Sequence, residues 1–176
     1  MDLSSRLSER IHIGDIYEIL YYVKGNDSRM QELYNLIYCG DERVSYQALW
    51  VCSHFDEDGN RWLALRQNEI IDGALACMHS GKRRIFLNLI YNQPQADPPR
   101  VDFLDFCLER MIACLEPAGV QSLCMKLAYG MCRNIPELLH ELRTIMDIME
   151  PEMLSPAMRS ARKNVLKAME AGKSLG

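Results

Sequence analysis

The sequence has no apolar run that approaches the roughly 20 residues of a membrane-spanning helix. Its opening residues, MDLSSRLSER, also lack the apolar stretch of a secretory signal. No C-x-x-C motif is present, which argues against a structural zinc site, and the seven cysteines are odd in number and scattered. We therefore expect a cytoplasmic protein without a membrane partner, whose thiols are reduced and mostly buried.

Motifs that hold a phosphate group or a metal ion are absent as well. The glycines between predicted helices lack the G-x-x-x-x-G-K spacing of a phosphate loop. The two C-x-H triplets, Cys52 to His54 and Cys77 to His79, place their ligands roughly 200° apart on a helix. Neither triplet can therefore hold one zinc ion.

The acidic segment DEDGN at 56–60 resembles part of a calcium loop. With Gly59 as the central glycine, His54 and Leu65 would occupy the positions that must supply carboxylates. We expect DEDGN to be a turn between helices instead. The four histidines fall near the ends of different predicted helices, so nothing brings one next to a nucleophile and a carboxylate. We expect no metal, no cofactor and no enzymatic activity.

What the sequence does contain is an eleven-residue segment that recurs in altered form. The copies are GDERVSYQALW from Gly40, GKRRIFLNLIY from Gly81 and GVQSLCMKLAY from Gly119. The three glycines lie 41 and 38 residues apart, which is the period of HEAT and armadillo helix pairs. The fourth and eighth residues after each glycine are apolar or small, and the tenth is aromatic. Each copy is predicted to form the second helix of a pair.

The apolar periodicity predicts a capping helix over about 14–25, after a polar N-terminal tail. The helix pairs are predicted over about 28–56, 62–93, 101–133 and 136–170. Ser28 with Gln31 predicts a capping box at the start of the first pair. One helix is predicted from Trp62 to Met78, and another from Val101 to Glu116 whose apolar face includes Leu115. The proline-rich segment at 92–99 is predicted to be non-helical.

One helix pair cannot bury its own apolar face, so neighbouring pairs stack into a continuous core. We therefore predict an all-α fold for residues 1–176 as a single domain. It is a right-handed α-solenoid (α-α superhelix) of about four HEAT/armadillo-like helix pairs with an N-terminal capping helix.

Three segments resemble a known kind of protein: YQALWVCSH at 46–54, NIPELLHELRTIM at 134–146 and SPAMRSARKNVLKAM at 155–169. They are similar to small HEAT/armadillo-type repeat proteins of a Bacteroidetes-like family of unsettled function, over about 28–170. This resemblance implies a helical repeat fold and carries no catalytic residue set. A more distant similarity is to HEAT-like DNA alkylation repair proteins, which use basic concave surfaces. The net charge of −4 and pI near 5.6 depart from that pattern.

Two basic clusters leave nucleic acid open as a partner. Lys82 to Arg84 begin the second helix of the second pair, where the helix dipole disfavours cations. Arg159, Arg162, Lys163 and Lys167 recur at helical spacing near the C-terminus. Either cluster is a solvated face or a site for an anionic ligand.

The candidate binding site is a stripe on the second helices, which line the concave side of HEAT-type stacks. The third, seventh and tenth residues after each glycine share one helix face, and two residues one turn further on extend it. Ser122 takes the third position of the third copy, and the other ten residues are the candidate site residues, which we call the predicted stripe: Arg43, Gln47, Trp50, His54, Arg84, Asn88, Tyr91, Lys126, Tyr129 and Arg133.

Aromatic rings flanked by arginine and amide groups are typical of peptide-binding grooves. We predict a non-enzymatic scaffold that binds a peptide or protein partner there, with a nucleic-acid-binding or DNA-repair-like HEAT protein as the alternative. A structural alternative also stands, in which the rings only pack between adjacent second helices.

We expect neither a chelator nor a mild reductant to change the melting temperature, because we predict that neither a metal nor a disulfide stabilises the fold. Thermal unfolding with and without each reagent measures this. A fall of several degrees with either one would show that the cysteines have been misinterpreted.

Overall fold

The computed structural model describes residues 1–175, which contain eleven α-helices, a 3-10 turn at Pro151–Met153 and no strand. The helices are α1 Leu3–Ser8, α2 Ile13–Val23, α3 Asp27–Leu36, α4 Glu42–Cys52, α5 Glu57–Ala64, α6 Gln67–Ala76, α7 Ser80–Tyr91, α8 Val101–Ile112, α9 Ala118–Cys132, α10 Pro136–Asp147 and α11 Pro156–Ala171.

These helices form the stacked pairs of an α-solenoid, which confirms the predicted fold class. The second helices stand side by side, because α4 packs against α7, α7 against α9, and α9 against α11. The first helices cover them from one side, with α3 on α4, α6 on α7, and both α8 and α10 on α9. The recurrent segments found in the sequence are α4, α7 and most of α9.

One cluster of buried apolar side chains runs from α1 to α11. Each second helix contributes the eighth and ninth residues after its glycine, as predicted: Ala48, Leu49, Leu89, Ile90, Leu127 and Ala128. The fifth position is also buried, by Ser45, Phe86 and Cys124, whereas the fourth, which the recurrent pattern marked, is only partly buried at Ile85 and Leu123. The buried face of the second helices is therefore wider than the sequence pattern indicated.

The predicted polar tail is wrong, because residues 3–8 form helix α1. The Asp2 side chain caps it by accepting a hydrogen bond from the Ser5 amide at 3.2 Å. Leu3 and Leu7 lie on one face, four residues apart, and both are fully buried where α1 packs on α4. These two leucines are the signal that the sequence offered, in a segment that is otherwise polar.

Two helix starts also differ from prediction. Helix α3 is capped by Asn26, whose side chain accepts from the Arg29 amide at 3.0 Å, and not by Ser28. The DEDGN segment is not a turn, because Asp56 caps α5 by accepting from the Gly59 amide at 3.1 Å. Its acidic residues occupy the first turn, where the helix dipole favours negative charge. The predicted helix from Trp62 to Met78 is divided between α5 and α6, so the second repeat has three helices.

The first helix of the third pair is shorter than predicted, since α8 ends at Ile112. Leu115 is therefore fully exposed, and not on an apolar face as predicted. Its neighbour Glu116 turns inward and pairs with Arg83 at 2.5 Å and Arg110 at 2.8 Å. This buried carboxylate compensates the charge of Arg83, which the helix dipole disfavours at the start of α7.

We expect Leu7→Ala to lower the free energy of unfolding by about 2–5 kcal/mol, because it removes a fully buried side chain from the contact between α1 and α4. Urea unfolding measures the change. The exposed Ser4→Ala on the same helix serves as the control and should change little. Equal stability of the two variants would mean that α1 is not part of the folded core.

Candidate functional site

The first part of the predicted stripe faces helix α1. The Gln47 side chain is buried, accepts from the Ile11 amide at 2.9 Å, and donates to the Leu7 and Glu9 carbonyl groups at 2.6 Å each. Exposed Arg43, one turn earlier, donates to the Ser8 carbonyl at 3.3 Å. Gln47 therefore holds the connection between α1 and α2, and no part of it is free to meet a partner.

The middle of the predicted stripe does not form one surface, because Trp50 packs against the core and His54 lines a separate groove. Trp50 is half-buried, and its ring meets the His54 ring edge-on with centroids 6.1 Å apart. His54 lines a mostly apolar groove of about 470 Å³ between α2, α3 and α5, together with Phe55 and Trp62. Trp50 does not line this groove.

Two further stripe residues lie on α7. Arg84 is exposed and passes the start of α9, where a Cβ added to Gly119 would come within 3.2 Å of Arg84 Nε. Gly119 therefore gives the arginine room to cross. Asn88 is half-buried one turn later.

The last four stripe residues come together in a single cleft of about 430 Å³. Tyr91 comes from α7, whereas Lys126, Tyr129 and Arg133 come from α9 and its C-cap. The proline-rich connection and the end of the chain supply the other walls. We call this site the C-terminal cleft, and its remaining lining residues are Gln93, Gln95, Gly130, Asn134, Ser174 and Leu175.

The two tyrosines of the C-terminal cleft have different roles. Tyr91 is half-buried, and the Lys126 ammonium lies 5.7 Å from its ring centre, within the range of a cation–π contact. Tyr129 is buried, and its hydroxyl donates to the Lys173 carbonyl. Burial raises the pKa of that hydroxyl, and the charge of Arg133 opposes part of the rise. The Tyr129 hydroxyl thus stays protonated and fixes one wall of the cleft.

The charge of the cleft is of one sign. Lys126 and Arg133 line it, and no carboxylate does. Within residues 1–175 neither cation forms an ion pair. Two positive groups therefore share a partly enclosed space in which no acidic side chain of residues 1–175 compensates them.

Gln93 leaves a hydrogen-bond donor unused at the cleft. Its side chain is 4% exposed, and its Oε1 accepts from Gln67 Nε2 at 3.2 Å. Its Nε2 is shielded from water and has no acceptor in the part of the chain that the structure describes. An unpaired buried amide is unfavourable by about 1–3 kcal/mol.

Three of the thiols offer little reactivity. Burial raises the pKa of Cys52 and Cys107, and it raises that of Cys132 to about 11. These groups are protonated at neutral pH and are poor nucleophiles. Across residues 1–175, no group of three potential metal ligands lies close enough to hold an ion.

Sequence reasoning missed the walls of the cleft. Gln93 and Gln95 belong to the proline-rich connection, whose path no periodicity describes. Ser174 and Leu175 return to the cleft because Gly172 ends α11 in the left-handed conformation, with φ of 63°. That glycine just after a long helical pattern was the available signal.

The fold and its cleft define a class of protein, the α-solenoid built of repeated helix pairs. More particularly, the chain matches the model of the HEAT repeat domain family over residues 3–169 and belongs to that family. Searches of curated proteins and of solved structures find no match to it. HEAT repeats generally act as protein-interaction scaffolds and are typically non-enzymatic. No helix within residues 1–175 has the length and apolar character to cross a membrane.

We expect Tyr129→Phe to lower the free energy of unfolding by about 1 kcal/mol and to speed amide exchange at 173–175, because it removes the hydroxyl that holds Lys173. Urea unfolding and hydrogen exchange measure these effects. Tyr91→Phe is the matched control, since the Tyr91 hydroxyl bonds to no group within residues 1–175. An equal effect of both changes would contradict the assigned role of Tyr129.

Proposed function

We propose that this protein is a non-enzymatic scaffold that binds a peptide segment of a partner protein on the face of its second helices, with the C-terminal cleft as the main site. The observation that carries this proposal is the convergence of Tyr91, Lys126, Tyr129 and Arg133 on one cleft of about 430 Å³. That volume lies in the range of pockets that enclose a small ligand or a few side chains.

The chemistry of the cleft suits a peptide. Tyr91 presents an aromatic ring that is already partly ordered against the core, so contact with it has a low entropy cost. Gln95 and Asn134 add amide groups that can pair with a peptide main chain. No nucleophile with a neighbouring histidine lines the cleft, so its residues support binding and not catalysis.

The remaining stripe residues extend the proposed surface. Trp50 on α4, like Tyr91 on α7, is partly buried against the core, and Arg84 and Asn88 precede Tyr91 on α7. Gln47 is not part of the proposed surface, because its amide group is used within the fold. A peptide that runs along this face would cross from α4 to α9.

The nucleic-acid alternative has less support from the charges. Arg83, at the centre of one basic cluster, is buried against Glu116, and Arg162 of the other donates to the Met146 carbonyl. Phosphate-dominated binding needs many free cations on one surface. The charges thus favour a protein partner.

We expect the protein to enrich a family of related sequences from a displayed library of random peptides. Tyr91→Ala should abolish this enrichment and Trp50→Ala should reduce it, because both remove an accessible ring from the proposed surface. Circular dichroism and urea unfolding confirm that each variant is folded.

The control is Tyr17→Ala, which removes an exposed aromatic ring from α2, away from the second helices. It should bind as the wild type does. The proposal fails if no peptide family is enriched, or if the Tyr17 and Tyr91 changes have the same effect.

A further inference from the structure

On the basis of the proposed scaffold function, we propose that the C-terminal cleft recognises an acidic peptide. In this arrangement Lys126 and Arg133 pair with carboxylates of the peptide, while Tyr91 packs against its apolar atoms. The partner is thus a protein that presents a short, extended acidic segment.

The charge of the C-terminal cleft is opposite in sign to the net charge of the protein. The chain carries 24 acidic and 20 basic residues, yet the cleft holds two cations and no carboxylate. A net negative protein repels acidic chains in general, so an isolated positive cleft selects where such a chain can dock. A negatively charged ligand supplies the opposite charge that residues 1–175 do not place in the cleft.

The spacing of the two cations in the cleft matches the spacing of carboxylates on a peptide. Arg133 is the C-cap of α9 in helical conformation, seven residues after Lys126, so the two lie on the same helix face, two turns and about 10.5 Å apart. A peptide in the extended polyproline II conformation rises about 3.1 Å per residue and completes one turn every three residues, so its side chains three positions apart point the same way. Carboxylates three positions apart therefore match the two cations, and the cleft predicts an acidic motif of the form E-x-x-E.

The side-chain amide of Gln93 offers a ligand an unused hydrogen-bond donor. Its Nε2 is shielded from water and lacks an acceptor within residues 1–175, while the residue lines the cleft. A carboxylate or carbonyl oxygen that enters the cleft and draws the amide toward it supplies the missing acceptor. Binding then relieves a cost that the free protein carries.

A nucleic-acid backbone fits the same site less well. Two cations neutralise two phosphates, which gives weak binding that is lost at physiological salt. The cleft is also bounded by Gln93 and Gln95 on one side of its lining and by Ser174 and Leu175 at the end of the described chain, and these four residues add no further cation for a phosphate backbone.

The test uses the peptides that the folded protein selects from the random library. We expect acidic sequences with carboxylates three positions apart. Replacing both glutamates of a selected peptide by glutamine should weaken binding about tenfold or more in fluorescence anisotropy. Lys126→Glu should weaken the binding of the acidic peptide by a similar factor. It should strengthen the binding of a peptide in which lysines replace both glutamates.

The matched control is Lys163→Glu, an equal charge change at an exposed position of α11 outside the cleft lining. It should leave the affinity within about twofold of the wild type. If Lys163→Glu weakens binding as much as Lys126→Glu, the effect is one of net charge and the inference is overturned.

Other outcomes separate this inference from the scaffold proposal. Selection of neutral or basic peptides that still require Tyr91 would keep the scaffold and overturn the acidic ligand. Failure to select any peptide would overturn both. Displacement of the acidic peptide by duplex DNA at physiological ionic strength would assign the cleft to nucleic acid instead.

The Gln93 step has its own pair of variants. Gln93→Met removes the unused hydrogen-bond donor and should weaken the binding of the acidic peptide several-fold. Gln67→Met breaks the same contact between Gln67 and Gln93, and also the hydrogen bond from Gln67 to the Pro94 carbonyl at 2.9 Å, but it keeps the Gln93 amide, so it should bind as the wild type does. Equal weakening by both would show that Gln93 acts only through the packing of the connection, and would overturn its role as a donor to the ligand.

Discussion

The packing of helix α9 is the interaction on which the rest of the structure depends. This helix packs against α7, α8, α10 and α11, and residues on most of its circumference are buried. A helix with so wide an apolar surface is stable only when neighbours cover it. The strip that they leave uncovered carries Lys126 and Arg133, so the C-terminal cleft is the gap in the coverage of α9. Core and candidate site are therefore two consequences of the same packing.

The buried charges at the start of α9 determine how it meets α7. Arg83 and Arg110 share one oxygen of Glu116, and the other oxygen has no hydrogen-bond partner within residues 1–175. Pairs of this kind add little net stability, because desolvation offsets the attraction. Removing one partner is nevertheless unfavourable by about 3–5 kcal/mol, since it leaves a buried charge uncompensated. The group thus fixes one alignment of the second and third repeats and makes shifted alignments unfavourable.

The sequence was sufficient for the repeat plan because the glycine register is local. The eighth and ninth positions after each glycine are buried in all three copies, since equivalent residues of stacked repeats face the same continuous core. Helix α1 was missed because only Leu3 and Leu7 mark it, and two residues establish no periodicity. The burial of Gln47 was not predicted for the same reason, because the segment that its side chain binds was expected to be a polar tail.

The candidate site was predicted only in part, for a related reason. Helical spacing placed Lys126, Tyr129 and Arg133 on one face, and the structure brings Tyr91 to them across the contact of α7 with α9. Gln93 and Gln95 come from an irregular connection, whose path depends on tertiary contacts such as the close approach of Gln95 to Gly130. Leu115 shows the same limit, since a helix that ends one turn early turns a predicted core residue into a fully exposed one.

The left-handed turn at Gly172 has a practical consequence for anyone who handles this protein. It directs Ser174 and Leu175 into the wall of the C-terminal cleft, so a fusion at this end of the chain follows a segment that lines the candidate site. An affinity tag or a surface-immobilisation linker at that end would compete sterically with a ligand. The start of α1 lies at the opposite end of the helix row, against α4, and is the better place to tether the molecule.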